Sequence, residues 1–217
     1  MGDRGSVVGV SMSIGFAVAD EGVGSKVPAQ DRGAVIVRDE GLVLVVADGA
    51  GGVVGGARAA ERVVGAARAL LDRAKGLPDA AAWCDFLRAM DEELARDRDA
   101  GETTAVVLSV TRVSIVGASV GDSGAWNVTG DGVDELTAGQ HPTRLGTGRA
   151  QPTAVTRLGA LGTLVAASDG LWKYAAREAI AGAARGEGLE AAPDALIDLA
   201  RLPSGGLQDD VVVLVAR

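Results

Sequence analysis

Two long stretches with helical periodicity interrupt a series of short apolar runs in the first half of the chain. Apolar residues recur at three- and four-residue intervals over residues 57–74 and 83–94, which predicts two helices that each bury one face. Runs rich in β-branched residues predict strands, and those at 33–38 and 42–46 flank a short glycine-containing turn, as in a β-hairpin. A further strand is predicted over residues 6–19.

The second half of the chain returns to strands before it ends in further helices and a last strand. Three β-rich runs predict an antiparallel meander, and a loop follows them. Two helices between runs of antiparallel strands, with two more near the end, predict an α+β fold. The predicted architecture is a four-layer α-β-β-α sandwich of two mainly antiparallel sheets flanked by helices. The strands are predicted at 104–110, 114–120, 124–128, 161–167 and 211–215, the loop at 139–152, and the helices at 174–184 and 193–202.

The composition is typical of one globular domain. With 217 residues, 47% of them hydrophobic, the chain is long enough to bury a substantial core, and we expect a single domain over 1–217 that acts as a monomer. The net charge of −8 argues against nucleic acid or an anionic membrane surface as the main partner. No apolar stretch is long enough to span a bilayer. The single cysteine, Cys84, cannot form an internal disulfide, and this favours a reducing cytoplasm.

Four apolar, β-branched runs each have an aspartate at one end. The first aspartate is followed by Gly49, and a glycine lets a ligand approach the backbone closely. Any one of these segments is also the ordinary sequence of a strand that ends in a turn. Together, four carboxylates at strand ends predict an oxygen-only site for hard divalent ions such as Mg²⁺ or Mn²⁺. The aspartates are Asp48, Asp122, Asp169 and Asp210.

With Gln30-Asp31-Arg32 and Glu102-Thr103-Thr104, these segments occur in the order of the motifs of the metal-dependent type-2C (PPM) protein Ser/Thr phosphatases. The chain resembles that family from residue 26 to residue 217, nearly its whole length. The resemblance implies the same sandwich fold and the Mn²⁺- or Mg²⁺-dependent hydrolysis of phosphoserine and phosphothreonine in proteins by a metal-activated water. Two cations roughly 3.5–4 Å apart lower the pKa of a shared water and neutralise phosphoryl charge.

The resemblance also implies roles for individual residues. Asp48 is expected to bridge the two ions, and the Gly49 carbonyl to bind one of them. Asp169 and Asp210 are expected to bind the other ion. Asp31 matches an acidic residue near the metal-bound waters, and we expect it to act on those waters without direct ligation.

Several positions depart from the family pattern. Lys26 stands where the family usually has a phosphate-binding arginine, so it is either a point charge for phosphate or an ordinary loop lysine. Ala50 stands where some members have a proposed histidine acid, which leaves protonation of the leaving group to water. Asp122 matches an aspartate that helps to hold a third, looser ion. Lys173 occupies a position that is often acidic, so it either repels or replaces that ion or is a solvated helix lysine. The flap of many relatives is expected to be truncated here.

Two other functions fit parts of the sequence. Gly121-Asp122-Ser123-Gly124 is similar to the nucleophile segment of trypsin-type serine proteases, but a triad needs a base beside the serine. The one histidine, His141, lies in loop-like sequence, which argues against a triad. The second alternative is a catalytically weak regulatory or binding domain of the same fold. It is favoured by Lys26, Ala50, Gly124 and Lys173, whereas Asp48, Asp169 and Asp210 favour an active enzyme.

The expected partner is a phosphorylated protein, which the sequence does not identify. Lysine is scarce beside many arginines, and alanine and glycine are abundant. This composition is typical of GC-rich bacterial genomes and is compatible with a partner Ser/Thr kinase.

Overall fold

The computed structural model describes residues 4–11, 14–23, 29–50, 55–186 and 188–217. Within these ranges, two helices lie between the early and the middle strands, and three helices precede the last strand. In chain order the elements are β1 (Arg4–Ser11), β2 (Ile14–Glu21), β3 (Arg32–Arg38), β4 (Gly41–Ala47), α1 (Gly56–Arg73), α2 (Ala80–Arg96), β5 (Ala105–Val110), β6 (Ser114–Val120), β7 (Gly124–Val128), β8 (Val133–Glu135), β9 (Thr153–Leu158), β10 (Thr163–Ala167), α3 (Asp169–Trp172), α4 (Arg177–Arg185), α5 (Ala192–Leu199) and β11 (Val211–Ala216).

Two antiparallel sheets form the centre of the molecule. One has the strand order β1-β2-β11-β10-β7-β8, and the other has the order β3-β4-β5-β6-β9. The last strand, β11, lies between β2 and β10, so the two ends of the described chain meet inside one sheet. Loops that are far apart in sequence therefore become neighbours at the ends of the strands.

Apolar side chains fill three layers between the four layers of secondary structure. Leu44, Leu108 and Leu214 belong to the layer between the two sheets. Val43 and Val45 point to the opposite side of β4 and pack with side chains of α1 and α2. Helices α4 and α5 cover the outer face of the sheet that contains β11. The predicted α-β-β-α sandwich of two antiparallel sheets is confirmed.

The long N-terminal run that was predicted as one strand forms a hairpin. β1 and β2 pair in antiparallel register, with Val7 opposite Val18 and Ser11 opposite Ile14. A run of this length exceeds the usual span of a strand, so it folds back on itself. The ring of Phe16 covers Gly9, where a Cβ atom would lie 2.5 Å from the ring.

The predicted meander is also wrong in part. β5 and β6 pair with each other, but β7 leaves for the other sheet and pairs with β10. The chain crosses between the sheets at Gly121, whose φ of 97° is readily adopted only by glycine. β9 falls within a segment without a predicted element and pairs with β6. Only Val155 of its residues is buried, so the strand left little hydrophobic signal.

No helix in the described ranges combines the length and the apolar content that crossing a membrane requires. The longest, α1, has 18 residues and carries arginines and a glutamate along its exposed side. Its buried side packs on β3 and β4. It is an amphipathic helix of the outer layer.

Candidate metal centre and active site

Asp48 follows directly on β4, a strand whose residues are all buried. Two neighbouring threonines hold its backbone. The Thr103 hydroxyl and the Thr104 amide donate to the Asp48 carbonyl at 2.8 and 2.9 Å, and the Asp48 amide donates to the Thr104 hydroxyl at 3.2 Å. The Glu102-Thr103-Thr104 segment thus acts as a clamp that sets the position of the Asp48 carboxylate.

The turn after Asp48 is packed too closely for a larger residue. A Cβ atom on Gly49 would lie 2.5 Å from the carbonyl carbon of Gly56, at the start of α1. The Ala50 amide donates to the Glu102 carbonyl at 2.9 Å, which ties this turn to the same clamp. Only glycine leaves room for the first turn of α1 to lie against the backbone here. The following glycines, Gly51 and Gly52, lie outside the described residues.

Three of the four predicted aspartates come together. One carboxylate oxygen from each of Asp48, Asp122 and Asp169 can be chosen so that all three lie within 4.8 Å of one another. Asp48 belongs to one sheet and Asp169 follows β10 of the other, while Asp122 lies on the crossing between β6 and β7. The cluster therefore joins the ends of both sheets.

The fourth predicted aspartate, Asp210, has different surroundings. Its two carboxylate oxygens accept hydrogen bonds from the Val23 and Gln30 amides, each at 2.7 Å. The preceding residue, Asp209, is exposed, and its negative charge helps to raise the pKa of both Asp48 and Asp169. Asp209 was not predicted from the sequence, although the Asp209-Asp210 pair offers two candidates at the same strand end.

Asp31 lies beside Asp48, because Arg32 pairs with Ala47 in the β3–β4 hairpin. It is 8% exposed, and its Oδ2 atom has no hydrogen-bond partner. Burial, followed by the negative charge of Asp48, raises the pKa of Asp31 well above its ordinary value. Burial and the charge of Asp169 raise the pKa of Asp48 to about 7. These carboxylates are thus crowded and poorly solvated, as expected for a site that takes up cations.

Lys173 reaches the same cluster. Its ammonium forms an ion pair with the Asp169 carboxylate and lies 3.8 Å from Oδ2 of Asp122. Asp169 begins the short helix α3 and Lys173 follows that helix, so the two side chains lie one turn apart on the same side. Lys173 is exposed, as the alternative of a solvated lysine predicted, but its ammonium also contacts two of the clustered carboxylates.

The protease interpretation conflicts with the structure. Ser123 is completely buried, and its hydroxyl lies 2.6 Å from the hydroxyl of Thr104. His141 is exposed, and its backbone carbonyl accepts the Gly121 amide. Ser123 supports the clamp on Asp48 and has no access to a substrate. Lys26, the predicted phosphate-binding lysine, lies outside the described residues.

Solved structures with the same fold are bacterial phosphatases. The catalytic domain of the serine/threonine phosphatase PstP in complex with two manganese ions superposes with a TM-score of 0.79 at 22% identity, over 94% of this chain and 97% of that one. PstP/Ppp of Mycobacterium tuberculosis superposes with a TM-score of 0.79 at 21% identity, over 97% of this chain and 98% of that one. Stp1 of Staphylococcus aureus superposes with a TM-score of 0.77 at 20% identity, over 100% of this chain and 94% of that one.

The family is shown by the sequence itself. Comparison with curated protein sequences found no significant match. The model of the family described as protein phosphatase 2C matches residues 20–142, more than half of the chain. This range contains Asp31, Asp48 and Asp122 together with the threonine clamp. The chain belongs to the protein phosphatase 2C family of serine/threonine protein phosphatases.

Proposed function

We propose that this phosphatase hydrolyses phosphoserine and phosphothreonine in proteins with a water activated by two bound Mn²⁺ or Mg²⁺ ions. The observation that carries the proposal is the cluster of Asp48, Asp122 and Asp169, in which one carboxylate oxygen of each residue lies within 4.8 Å of those of the other two. The solved PstP domain of the same fold is described in complex with two manganese ions, which supports this choice of metal.

The residues fit a pair of hard divalent cations. All the donors are oxygens, and such ions prefer carboxylate, carbonyl and water ligands. Asp31 keeps one buried oxygen without a hydrogen-bond partner, and a metal-bound water would supply that partner. The raised pKa of Asp48 also fits a cation site, because a nearby cation relieves the repulsion between the clustered carboxylates.

We assign the ligands from these surroundings. Asp48, the Gly49 carbonyl and Asp169 would hold the two ions through their oxygens. The predicted role of Asp210 as a further ligand is less well supported than the same role for Asp209, because the carboxylate of Asp210 already accepts two backbone hydrogen bonds. Asp209 is the carboxylate at this strand end whose charge acts on Asp48 and Asp169.

When bound, the two ions lower the pKa of a water and neutralise charge on the phosphoryl group. The protein contributes the positions of the metal ligands. The threonine clamp fixes Asp48, so little reorganisation is needed when the ligands close on their ions. Asp31 accepts a hydrogen bond from a site water without binding the metal. Ala50 cannot donate a proton, so the leaving alkoxide takes its proton from solvent.

The substrate is a phosphorylated protein. We propose that the enzyme acts as a monomer in a reducing cytoplasm, where the single cysteine, Cys84, remains a buried thiol. A Ser/Thr kinase that phosphorylates the same substrate is the expected partner. The alternative of a catalytically weak binding domain rests on Lys26, Ala50, Gly124 and Lys173, the four positions that depart from the family pattern.

The test is hydrolysis of a phosphothreonine peptide with Mn²⁺, with and without chelator. We expect the wild-type enzyme to lose its activity in chelator and to regain it when Mn²⁺ is restored. Asp48→Asn should lower kcat by at least about a hundredfold, since it removes a ligand of the two ions. Asp72→Asn is the matched control, because Asp72 is exposed on α1. Chelator-resistant turnover, or a fully active Asp48→Asn variant, would contradict the proposal. Metal binding without turnover would favour the binding domain.

A further inference from the structure

The carboxylate cluster already contains a cation that belongs to the chain. The ammonium of Lys173 forms an ion pair with Asp169 and lies 3.8 Å from Asp122. The Asp169 side chain is only 9% exposed, whereas those of Lys173 and Asp122 are about half exposed, at 49% and 48%. The ammonium thus enters from the solvent side and stands over the Asp122–Asp169 side of the cluster.

This placement divides the cluster into two sides. Asp48 and Asp31, next to the β3–β4 hairpin, form one side and have no cationic partner among the described residues. Asp122 and Asp169 form the other side and share one positive charge. A divalent ion that binds between Asp122 and Asp169 has to displace that ammonium or remain close to it, and like charges at such distances repel strongly where solvent is limited.

We propose that Lys173 is a resident monovalent cation of this site, which neutralises Asp122 and Asp169 and keeps a further divalent ion out. The inference rests on the proposed function for the two ions beside Asp48 and Asp169. A monovalent charge on a side chain requires no metal from solution. The active form of this chain therefore takes two divalent ions, and Asp122 serves as a partner of Lys173 instead of a metal ligand.

The experiment is a direct measurement of Mn²⁺ binding by isothermal titration calorimetry, with the bound ions counted by elemental analysis. Lys173→Asp replaces the ammonium by a carboxylate beside Asp122 and Asp169. We expect the number of bound ions to rise from about two to about three, with the additional ion in the weak range typical of sites with few carboxylates. Lys75→Asp is the matched control, because Lys75 is exposed after the far end of α1 and makes the same change of charge.

A second variant answers the same question without adding a carboxylate. Lys173→Gln keeps an unbranched polar side chain, one atom shorter, and removes its charge. Because a positive charge beside the site weakens the binding of a divalent ion, we expect this variant to bind Mn²⁺ about tenfold more tightly than the wild type. Lys75→Gln should bind as the wild type does. The calorimetric result does not depend on turnover, and circular dichroism checks that each variant is folded.

The outcomes separate the two proposals. Titrations of Lys173→Asp and Lys173→Gln that superimpose on the wild-type titration overturn the role of Lys173 and leave the phosphatase proposal intact. If Lys173→Asp does not fold, the affinity of Lys173→Gln decides alone. A wild-type chain that neither binds Mn²⁺ nor hydrolyses the peptide contradicts the proposed function itself.

Discussion

Two adjacent aspartates before β11 face different surroundings. Both oxygens of Asp210 accept backbone amides, from Val23 and Gln30, and so this carboxylate holds the chain next to the site. Asp209 is exposed, and its charge acts on Asp48 and Asp169. The two adjacent carboxylates therefore differ in their partners, since Asp210 accepts two backbone amides and Asp209 is exposed.

We expect Asp209→Asn and Asp210→Asn to fail in different ways. Asp209→Asn should weaken Mn²⁺ binding and lower kcat while leaving the stability of the metal-free protein nearly unchanged. Asp210→Asn should lower the free energy of unfolding by about 1–3 kcal/mol, because an amide cannot accept both backbone hydrogen bonds as well as a carboxylate does. Urea denaturation in chelator and calorimetric Mn²⁺ titration measure the two effects. Loss of Mn²⁺ binding in Asp210→Asn alone would restore the assignment made from the sequence.

Among the individual elements, helix α2 supports the site indirectly, through a buried acidic residue that holds a neighbouring loop. Asp91 is 4% exposed and accepts the amides of Gly146, Gly148 and Ala150 at 2.8–2.9 Å. The adjacent Leu145 exchanges backbone hydrogen bonds with Thr103, the residue that clamps Asp48. The charged residues of α2 are most simply expected on its solvated face, but Asp91 is buried because the loop after β8 covers that part of the helix.

We expect Asp91→Asn to loosen this loop and destabilise the protein. The variant should lower the free energy of unfolding by about 2 kcal/mol, since a neutral amide is a weaker acceptor for three buried amides. Hydrogen exchange should show faster exchange at Gly146, Gly148 and Ala150. Glu92→Gln is the control, because Glu92 is the neighbouring exposed acid on the same helix. Equal unfolding midpoints for the two variants would show that the Asp91 contacts contribute little.

At the scale of the whole molecule, the sandwich gathers acidic residues from its entire length at one end. Asp31 and Asp48 come from one sheet, and Asp169 and Asp209 come from segments next to strands of the other sheet. Without metal, this concentration of charge opposes folding, and burial adds to the cost. Bound cations are therefore expected to stabilise the fold as well as to serve in the reaction.

We expect the metal-free protein to lose stability as the pH rises from about 5 to about 7.5. The pKa of Asp48 is about 7 in the folded protein, above the ordinary value near 4 in the unfolded chain. The folded state therefore binds more protons in this interval, and the free energy of unfolding falls as those protons are lost. The raised pKa of Asp31 acts in the same direction.

Urea denaturation in chelator at the two pH values measures this effect. Asp48→Asn should remove on the order of 2 kcal/mol of the pH dependence. Asp72→Asn, at an exposed position on α1, should leave the dependence unchanged. A wild-type protein that is equally stable at both pH values in chelator would show that the cluster is not strained by its charges.

Features with local signals were predictable from the amino-acid sequence alone. Aspartates at the ends of valine-rich strands, a glycine after Asp48 and the order of the segments predicted the sandwich and the family, and they singled out Asp48, Asp122 and Asp169, which the fold brings together. These signals can be recognised in the sequence, because a strand with a carboxylate and a turn at its end is visible without knowledge of its neighbours in the fold. Helices α1 and α2 were predicted for the same reason, since one buried face imposes a period on the sequence.

Which side chains face one another depends on the tertiary fold and was not predictable from the sequence. Hydrophobic patterns do not separate Asp209 from Asp210, and they place Asp91 on an exposed face because the loop that covers it comes from a distant segment. The burial of Ser123 and the ion pairs of Lys173 likewise depend on the crossing of the chain from one sheet to the other. Burial, hydrogen-bond partners and the distances between charges are relations between remote segments, and folding alone brings those segments together.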